Sequence, residues 1–250
     1  MSEGEIKHND YDEFACVYAR RNETNPFNAL YERPAILDLA GEVRGLRVLD
    51  AGCGAGVHAA ELVDRGATVT GVDLSRNLLD LARERLGPRV PLHRSDLSQP
   101  LPFLDGAFDL VLSSLVLHYL ADWEPTLREF HRVLAPRGRV VLSTHHPFMD
   151  MRIIDSDDYL GTFSFTEEWV QDGRTMRMRF WHRPLRAMLA AFTASGFAVD
   201  DIAEPDPRPE MAEVAPDAYR HLSRNAQFLF FSLTALTHDH PLIGTSRWLL

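Results

Sequence analysis

Apolar positions along this 250-residue chain gather in short runs divided by turn residues, and the runs switch between strand-like and helix-like patterns. Val48-Leu49, Val69-Thr70-Gly71-Val72 and Phe108-Asp109-Leu110-Val111-Leu112-Ser113-Ser114 read as strands, the last apolar enough to be covered on both faces. Val57-His58-Ala59-Ala60-Glu61-Leu62-Val63 carries a helix signal. Ser75 is placed to cap a second helix that runs to about Leu86, where Gly87-Pro88 stops it. Asp122 is placed to cap a third, ahead of Trp123-Glu124-Pro125. A later helix is predicted from Pro184 through Phe192 with Gly196 just past its end, and strands follow at 197–202 and 227–233. Such alternation predicts an α/β fold, a parallel sheet with helices on both faces.

Two segments stand outside that alternation. The first, holding Tyr11, Phe14, Tyr18 and the stretch 25–34, is rich in aromatics and reads as helix in pieces. The second pairs Thr162–Val170 with Arg174–Trp181 across Gln171-Asp172-Gly173, and Asp-Gly between alternating runs is a strong hairpin signal. Ligands of open α/β sheets bind beyond the carboxyl ends of the strands, so a hairpin entered from the fifth strand is expected to roof that edge as a substrate lid. The proline-dense run Glu204–Glu210 reads as an extended surface connection, and the tail 237–250 offers no chemistry.

Composition narrows the partners. With 45% hydrophobic and 25% charged residues the chain is an ordinary globular one, and its length fits a single domain. A formal net charge of −10 argues against a nucleic-acid partner, and lysine occurs once, at Lys7. Cys16 and Cys53 give neither a disulfide framework nor a metal spacing, so no metal is expected. The start is polar, and apolar runs such as Phe228-Leu229-Phe230-Phe231 are too short to span a bilayer; a reduced, cytoplasmic setting with no membrane partner is expected.

The chemistry-bearing stretch is Val48-Leu49-Asp50-Ala51-Gly52-Cys53-Gly54-Ala55-Gly56, a strand running into three alternating glycines and then a helix. Glycine lets the backbone turn sharply and approach a ligand, and free N–H groups at the helix start receive an anionic group. A second strand ends in Asp73, placed for a ribose. Dinucleotide folds favour G-x-G-x-x-G/A, which here would put the third small residue at Val57. The glycine falls at Gly56 instead, with Asp50 two residues ahead of Gly52. This D-x-G-x-G-x-G pattern resembles the first motif of the class I S-adenosylmethionine methyltransferases, of the small-molecule ubiquinone/menaquinone type. Asp96 at the end of Val90–Leu97, the run Phe108–Ser114, and Leu127–Ser143 with its Pro136-Arg137-Gly138 turn resemble the later motifs in order, so the likeness covers roughly 44–145.

That resemblance implies a doubly wound, Rossmann-like seven-stranded sheet with its last strand antiparallel, an N-terminal helical cap (1–40), a core (44–146), a lid insertion (147–183), the rest of the core (184–236) and the tail. It implies S-adenosylmethionine as cofactor, with Gly52, Gly54 and Gly56 under its methionine part, Asp50 toward its ammonium, Asp73 on its ribose, and Asp96 with the Leu97 amide at its adenine. Ala51, Leu74 and Ser113 flank these, and Tyr18 matches a tyrosine covering the methionine end. Asp96 as a turn residue and Tyr18 as helix packing stand beside those readings. Methyl transfer needs alignment and, for a protic acceptor, a base. His145, His146 and His182 are the candidates, each otherwise a turn residue or hydrogen-bond partner, while His118 is expected to pack at a helix start and Cys53 to be a small buried side chain. The Asn/Asp-Pro-Pro-Tyr and Pro-Cys signatures of base- and amide-modifying relatives are missing, since Ser113-Ser114-Leu115-Val116 follows the fourth strand. A small organic acceptor is expected, with Phe163, Phe165, Trp169, Phe180 and Trp181 either lining its pocket or forming the hairpin's own core. A dinucleotide-dependent oxidoreductase and a cofactor-binding protein without transfer are the alternatives, and a homodimer is left open.

Overall fold

The computed structural model describes residues 8–171 and 174–237. In chain order they form α1 (Tyr11–Thr24), a π-helical turn (Asn28–Glu32), α2 (Arg33–Ala40), β1 (Arg47–Ala51), α3 (Val57–Asp64), β2 (Thr68–Asp73), α4 (Arg76–Leu86), β3 (Leu92–Arg94), β4 (Phe108–Ser114) and α5 (Glu124–Val133). There follow β5 (Leu134–His145), α6 (Pro147–Ile153), β6 (Phe163–Gln171), β7 (Arg174–His182), α7 (Leu185–Ala194), β8 (Phe197–Ala203), α8 (Met211–Val214), α9 (Pro216–Leu222) and β9 (Phe228–Ala235).

Seven strands make one sheet in the order β3-β2-β1-β4-β5-β9-β8. The first five positions are parallel, and β9 enters antiparallel to both neighbours. Consecutive residues point to opposite faces, which explains why the runs lack alternation. Val48, Leu110, Leu112, Val141 and Phe230 pack with Ile36, Ala59, Leu62 and Ala82 of α2, α3 and α4. Leu49, Val111, Leu142 and Phe231 pack on the other face with Trp123, Leu127, Phe130 and Phe192 from the α5 and α7 side.

Helix ends follow the local chemistry. The Ser75 hydroxyl accepts from the Leu78 amide at 3.1 Å, and Gly87 ends α4 at φ 65°. Gly196, at φ 85°, lies just past α7. Asp122 accepts the Glu124 amide at 3.0 Å, but Trp123 holds the cap position itself, one residue later than expected.

Two strands differ from the expectation. β3 stops at Arg94, its last rung to β2 being the Ser95 amide on the Asp73 carbonyl at 3.0 Å, and Asp96 opens a turn, its carbonyl accepting from the Gln99 amide at 3.0 Å. Pro136-Arg137-Gly138 does not separate helix from strand: β5 begins at Leu134, and the turn is an excursion within it, between the pairs Phe108–Leu134 and Leu110–Arg139. The connection from β8 to β9 also carries two short helices, α8 and α9, that the proline run did not announce.

β6 and β7 form the expected antiparallel hairpin, whose Asp172-Gly173 turn lies outside the described residues, as do 1–7 with Lys7 and the tail beyond Thr237. Phe165, Met176, Met178 and Phe180 pack with Phe14, so the hairpin is held down by α1. Cys16 is exposed and Cys53 buried, both free. Among the described residues no helix is long and apolar enough to cross a membrane.

Candidate functional site

The carboxyl ends of β1, β2, β4 and β5 converge beneath α1 and the hairpin. After Ala51 the chain turns with Gly52 at φ 84° and Gly54 at φ 53°. A side chain at Gly52 would place its Cβ 2.2 Å from Val116 Cγ2, whereas Gly54 faces open space. The Gly52 and Cys53 amides bond to the Val72 carbonyl at 2.8 and 2.9 Å, tying the turn to the end of β2.

Asp73 fastens the turn from the other side. Its Oδ2 accepts from the Gly54 amide and its Oδ1 from the Ser75 amide, both at 2.8 Å. Each carboxylate oxygen keeps a further lone pair for a hydroxyl ligand. Burial raises its carboxyl pKa, against the lowering effect of those amides.

Asp50 differs, being 1% exposed with Oδ2 left without a hydrogen-bond partner. Burial pushes its pKa up to about 6, with His58 opposing and Asp73 adding to the rise. An orphaned buried carboxylate oxygen beside a glycine turn suits a cationic ligand group.

Sequence reasoning missed Glu32. This fully buried carboxylate ends the π-helical turn, and its Oε1 accepts from the hydroxyls of Ser114 (2.7 Å) and Ser143 (2.6 Å) while Oε2 lies 3.2 Å from His58 Nε2. Burial disfavours both charges, yet Glu32 ends below and His58 above its ordinary range because each faces the other. No periodicity marks Glu32, since its partners lie on α3, β4 and β5.

Two cavities meet at this edge. A small one, about 50 Å³, runs along Gly52, Cys53, Gly54 and Ala55. A large one, about 560 Å³, lies under the hairpin, walled by Phe27, Tyr119, Trp169 and Phe228, with Arg21, Asn25 and Gln227 supplying polar groups. Tyr18, Asn22, Asn28 and Leu115 line both, so the compartments are neighbours. Leu115 takes a left-handed φ of 53°, its amide shared between the Ser143 carbonyl (3.1 Å) and hydroxyl (3.0 Å). Of the hairpin aromatics named from sequence, Trp169 lines the cavity, while Phe165 and Phe180 belong to the hairpin's own core.

The histidines separate by position. His145 lines the large cavity and stacks on His118, with centroids 3.9 Å apart and planes at 18°. Its Nδ1 is buried and without a hydrogen-bond partner. His118, deep in the wall, has its pKa driven well down by burial and by His145. His146 caps α6, its Nδ1 accepting the Phe148 amide at 3.1 Å while Nε2 meets Glu204 at 2.9 Å. His182 is fully buried, bonded to Asp150 and to the Tyr159 carbonyl. Neither His146 nor His182 lines the large cavity.

The remaining expected contacts are scattered. Ser113 is buried, and its hydroxyl bonds to the Ala51 carbonyl at 3.2 Å. Leu74 is exposed and Leu97 buried. Asp96 is exposed, its Oδ1 accepting from the Ser98 amide (2.9 Å) and hydroxyl (2.7 Å).

Residues 49–142 match the family described as a methyltransferase domain. A demethylmenaquinone methyltransferase of Thermus thermophilus is 38% identical over 143 residues, 55% of this chain and 64% of that one. A methyltransferase of Streptomyces halstedii, GfsG, is 39% identical over 120 residues, 46% of this chain and 41% of that one. The chain thus spans less than two thirds of the length of these curated relatives. A crystal structure of an S-adenosylmethionine-dependent methyltransferase from Mesorhizobium loti superposes with a TM-score of 0.66 at 28% identity, covering 85% of this chain and 99% of that one.

Proposed function

We propose that the chain, whose residues 49–142 match a methyltransferase domain and whose fold superposes on an S-adenosylmethionine-dependent methyltransferase, is a class I methyltransferase that transfers a methyl group from S-adenosylmethionine to a small organic acceptor held in the 560 Å³ cavity. The observation that carries this reading is the shared wall: a ligand on the glycine turn and an acceptor under the hairpin are neighbours across Tyr18, Asn22, Asn28 and Leu115. When bound, S-adenosylmethionine supplies a methyl group made electrophilic by its sulfonium.

The chain supplies grip and alignment. Asp73 holds the ribose, Asp50 the ammonium, and the Gly52–Gly56 turn allows close backbone approach; Tyr18 and Asn22 of α1 cover the junction of the two compartments. His145 receives the acceptor's proton at Nε2. The aromatic wall and its amide groups fit a planar, carbonyl- or hydroxyl-bearing acceptor, in keeping with a relative named for demethylmenaquinone.

Calorimetry with S-adenosylmethionine, S-adenosylhomocysteine and NAD(H), followed by methyl-labelled cofactor with an acceptor panel, tests the proposal. Binding of the two sulfur cofactors and label on a small molecule are expected. Binding of NAD(H) alone would overturn it, and tight cofactor binding with no label moved across a broad panel would point to a non-transferring protein.

Two predictions concern the cofactor. Asp73→Ala is expected to weaken S-adenosylmethionine binding by about 100-fold, two charge-assisted hydrogen bonds being lost, as read by titration calorimetry. The pH dependence rests on Asp50, which binds an ammonium only when ionised. With its pKa raised to about 6, affinity is expected to hold above that pH and fall below it, by at most about tenfold per unit for one proton. Asp50→Asn should flatten that limb; an unaltered slope would shift attention to His58, Asp73 and Glu32, which act on Asp50 electrostatically.

A further inference from the structure

Asp150 has no part in cofactor or acceptor contact, yet it is 1% exposed. It lies in the first turn of α6, directly after β5 delivers His145 and His146. Burying a carboxylate costs several kcal/mol unless its oxygens are well partnered.

One oxygen has a partner. Oδ2 lies 3.2 Å from Nδ1 of His182, whose Nε2 lies 2.9 Å from the Tyr159 carbonyl. With Asp150 ionised, both partners of that ring are acceptors, which puts hydrogen on both its nitrogens and makes His182 an imidazolium. Its raised pKa agrees: burial works against the charge, and Asp150 with the Tyr159 carbonyl outweighs it.

The other oxygen points the opposite way. Oδ1 stands 3.4 Å from Nδ1 of His145, a contact outside hydrogen-bond geometry, and neither atom has a hydrogen-bond partner. A buried acceptor and a buried ring nitrogen, each lacking a partner and 3.4 Å apart, are satisfied together by a small turn of either side chain with hydrogen on His145 Nδ1, donated to Asp150. The stack on His118 and the flanking rings of Phe180 and Phe228 fix the plane in which this happens.

We propose that Asp150 is a positioning residue, holding His145 in the Nδ1–H tautomer so that Nε2 presents its lone pair to the large cavity, with His182 anchoring the carboxylate from behind. The proposal rests on the reading of His145 as the proton acceptor, but the tautomer is measurable without any acceptor. Asp150→Asn has a sharp consequence. The imidazolium of His182 still needs an acceptor, so the amide oxygen turns to it and the NH₂ faces His145 Nδ1, forcing hydrogen onto Nε2. Holding a catalytic histidine in the wrong tautomer can cost orders of magnitude in rate with the fold intact.

The test is nitrogen-15 NMR of histidine-labelled protein at neutral pH, with the His145 resonances identified by their loss in His145→Gln. In the wild type, long-range proton couplings should mark Nδ1 as protonated and Nε2 as bare. In Asp150→Asn the two should exchange roles, and methyl transfer should fall by about 100-fold or more, with S-adenosylmethionine affinity within about twofold of wild type. His182→Gln should retain the wild-type tautomer. Hydrogen on Nε2 in the wild type would overturn the proposal even if Asp150→Asn failed to fold, as would an unchanged tautomer in a folded variant. A correct tautomer in a protein that moves no methyl group would leave this assignment standing and overturn only the transfer reading.

Discussion

His145→Ala is expected to lower the methyl-transfer rate by about 10²- to 10⁴-fold, the usual contribution of a placed general base, while S-adenosylmethionine binds within about twofold of wild type. Position singles out His145 among the three histidines. His146 commits one nitrogen to the Phe148 amide and the other to Glu204, and both nitrogens of His182 are engaged inside the protein. His145 alone of the three borders the large cavity proposed to hold the acceptor. Single-turnover transfer with labelled cofactor isolates the chemical step, and cofactor affinity separates a lost base from a damaged binding site. His118 supplies the control, since its ring lies against His145. A full rate in His145→Ala together with a collapsed rate in His118→Ala would move the proton transfer to His118.

Glu32→Ala is expected to cost about 3–5 kcal/mol of folding stability, because removing one member of a buried charge pair strands the rest. The stranded groups are His58 Nε2 and the hydroxyls of Ser114 and Ser143, drawn from α3, β4 and β5. Urea unfolding should show a lower midpoint with an unchanged slope. The signs of the shifts fix the pH window. Glu32, held low, contributes fully above its unfolded value and loses that contribution as pH falls through its folded one. His58, held high, contributes fully below its unfolded value and loses that as pH rises through its folded one. The pair therefore stabilises most between about pH 4.3 and 6.5.

These residues show where the sequence is readable. The glycine turn and the strands ending in Asp50 and Asp73 announce themselves because local geometry dictates local composition: a sharp turn needs glycine, and a doubly covered strand needs an apolar run. The same holds for the hairpin, whose alternation survives although its turn lies outside the described residues. Glu32 and Asp150 carry no such mark. An acid inside Tyr31-Glu32-Arg33-Pro34 or following Met149 looks like any helix-start carboxylate, and the partners that give it meaning sit 26 to 111 residues away for Glu32 and 32 for His182 of Asp150. Strand ends failed for a related reason. β3 makes its last rung at the Asp73 carbonyl, and the chain then turns at Asp96, whose carbonyl accepts the Gln99 amide.

α1 spans both compartments and is clamped near both ends. Near one end the Asp12 carboxylate accepts from the Ser75 hydroxyl and the Asn77 amide, at 2.6 and 3.0 Å, and near the other Glu23 pairs with Arg85 at 2.9 Å. Ser75 is also bonded through its amide to Asp73, so the clasp abuts the residue assigned to the ribose. A helix fastened in this way works as one door for two rooms. Were it unlatched, the compartment along the glycine turn and the large cavity would open in the same movement, since Tyr18 and Asn22 of this helix line both.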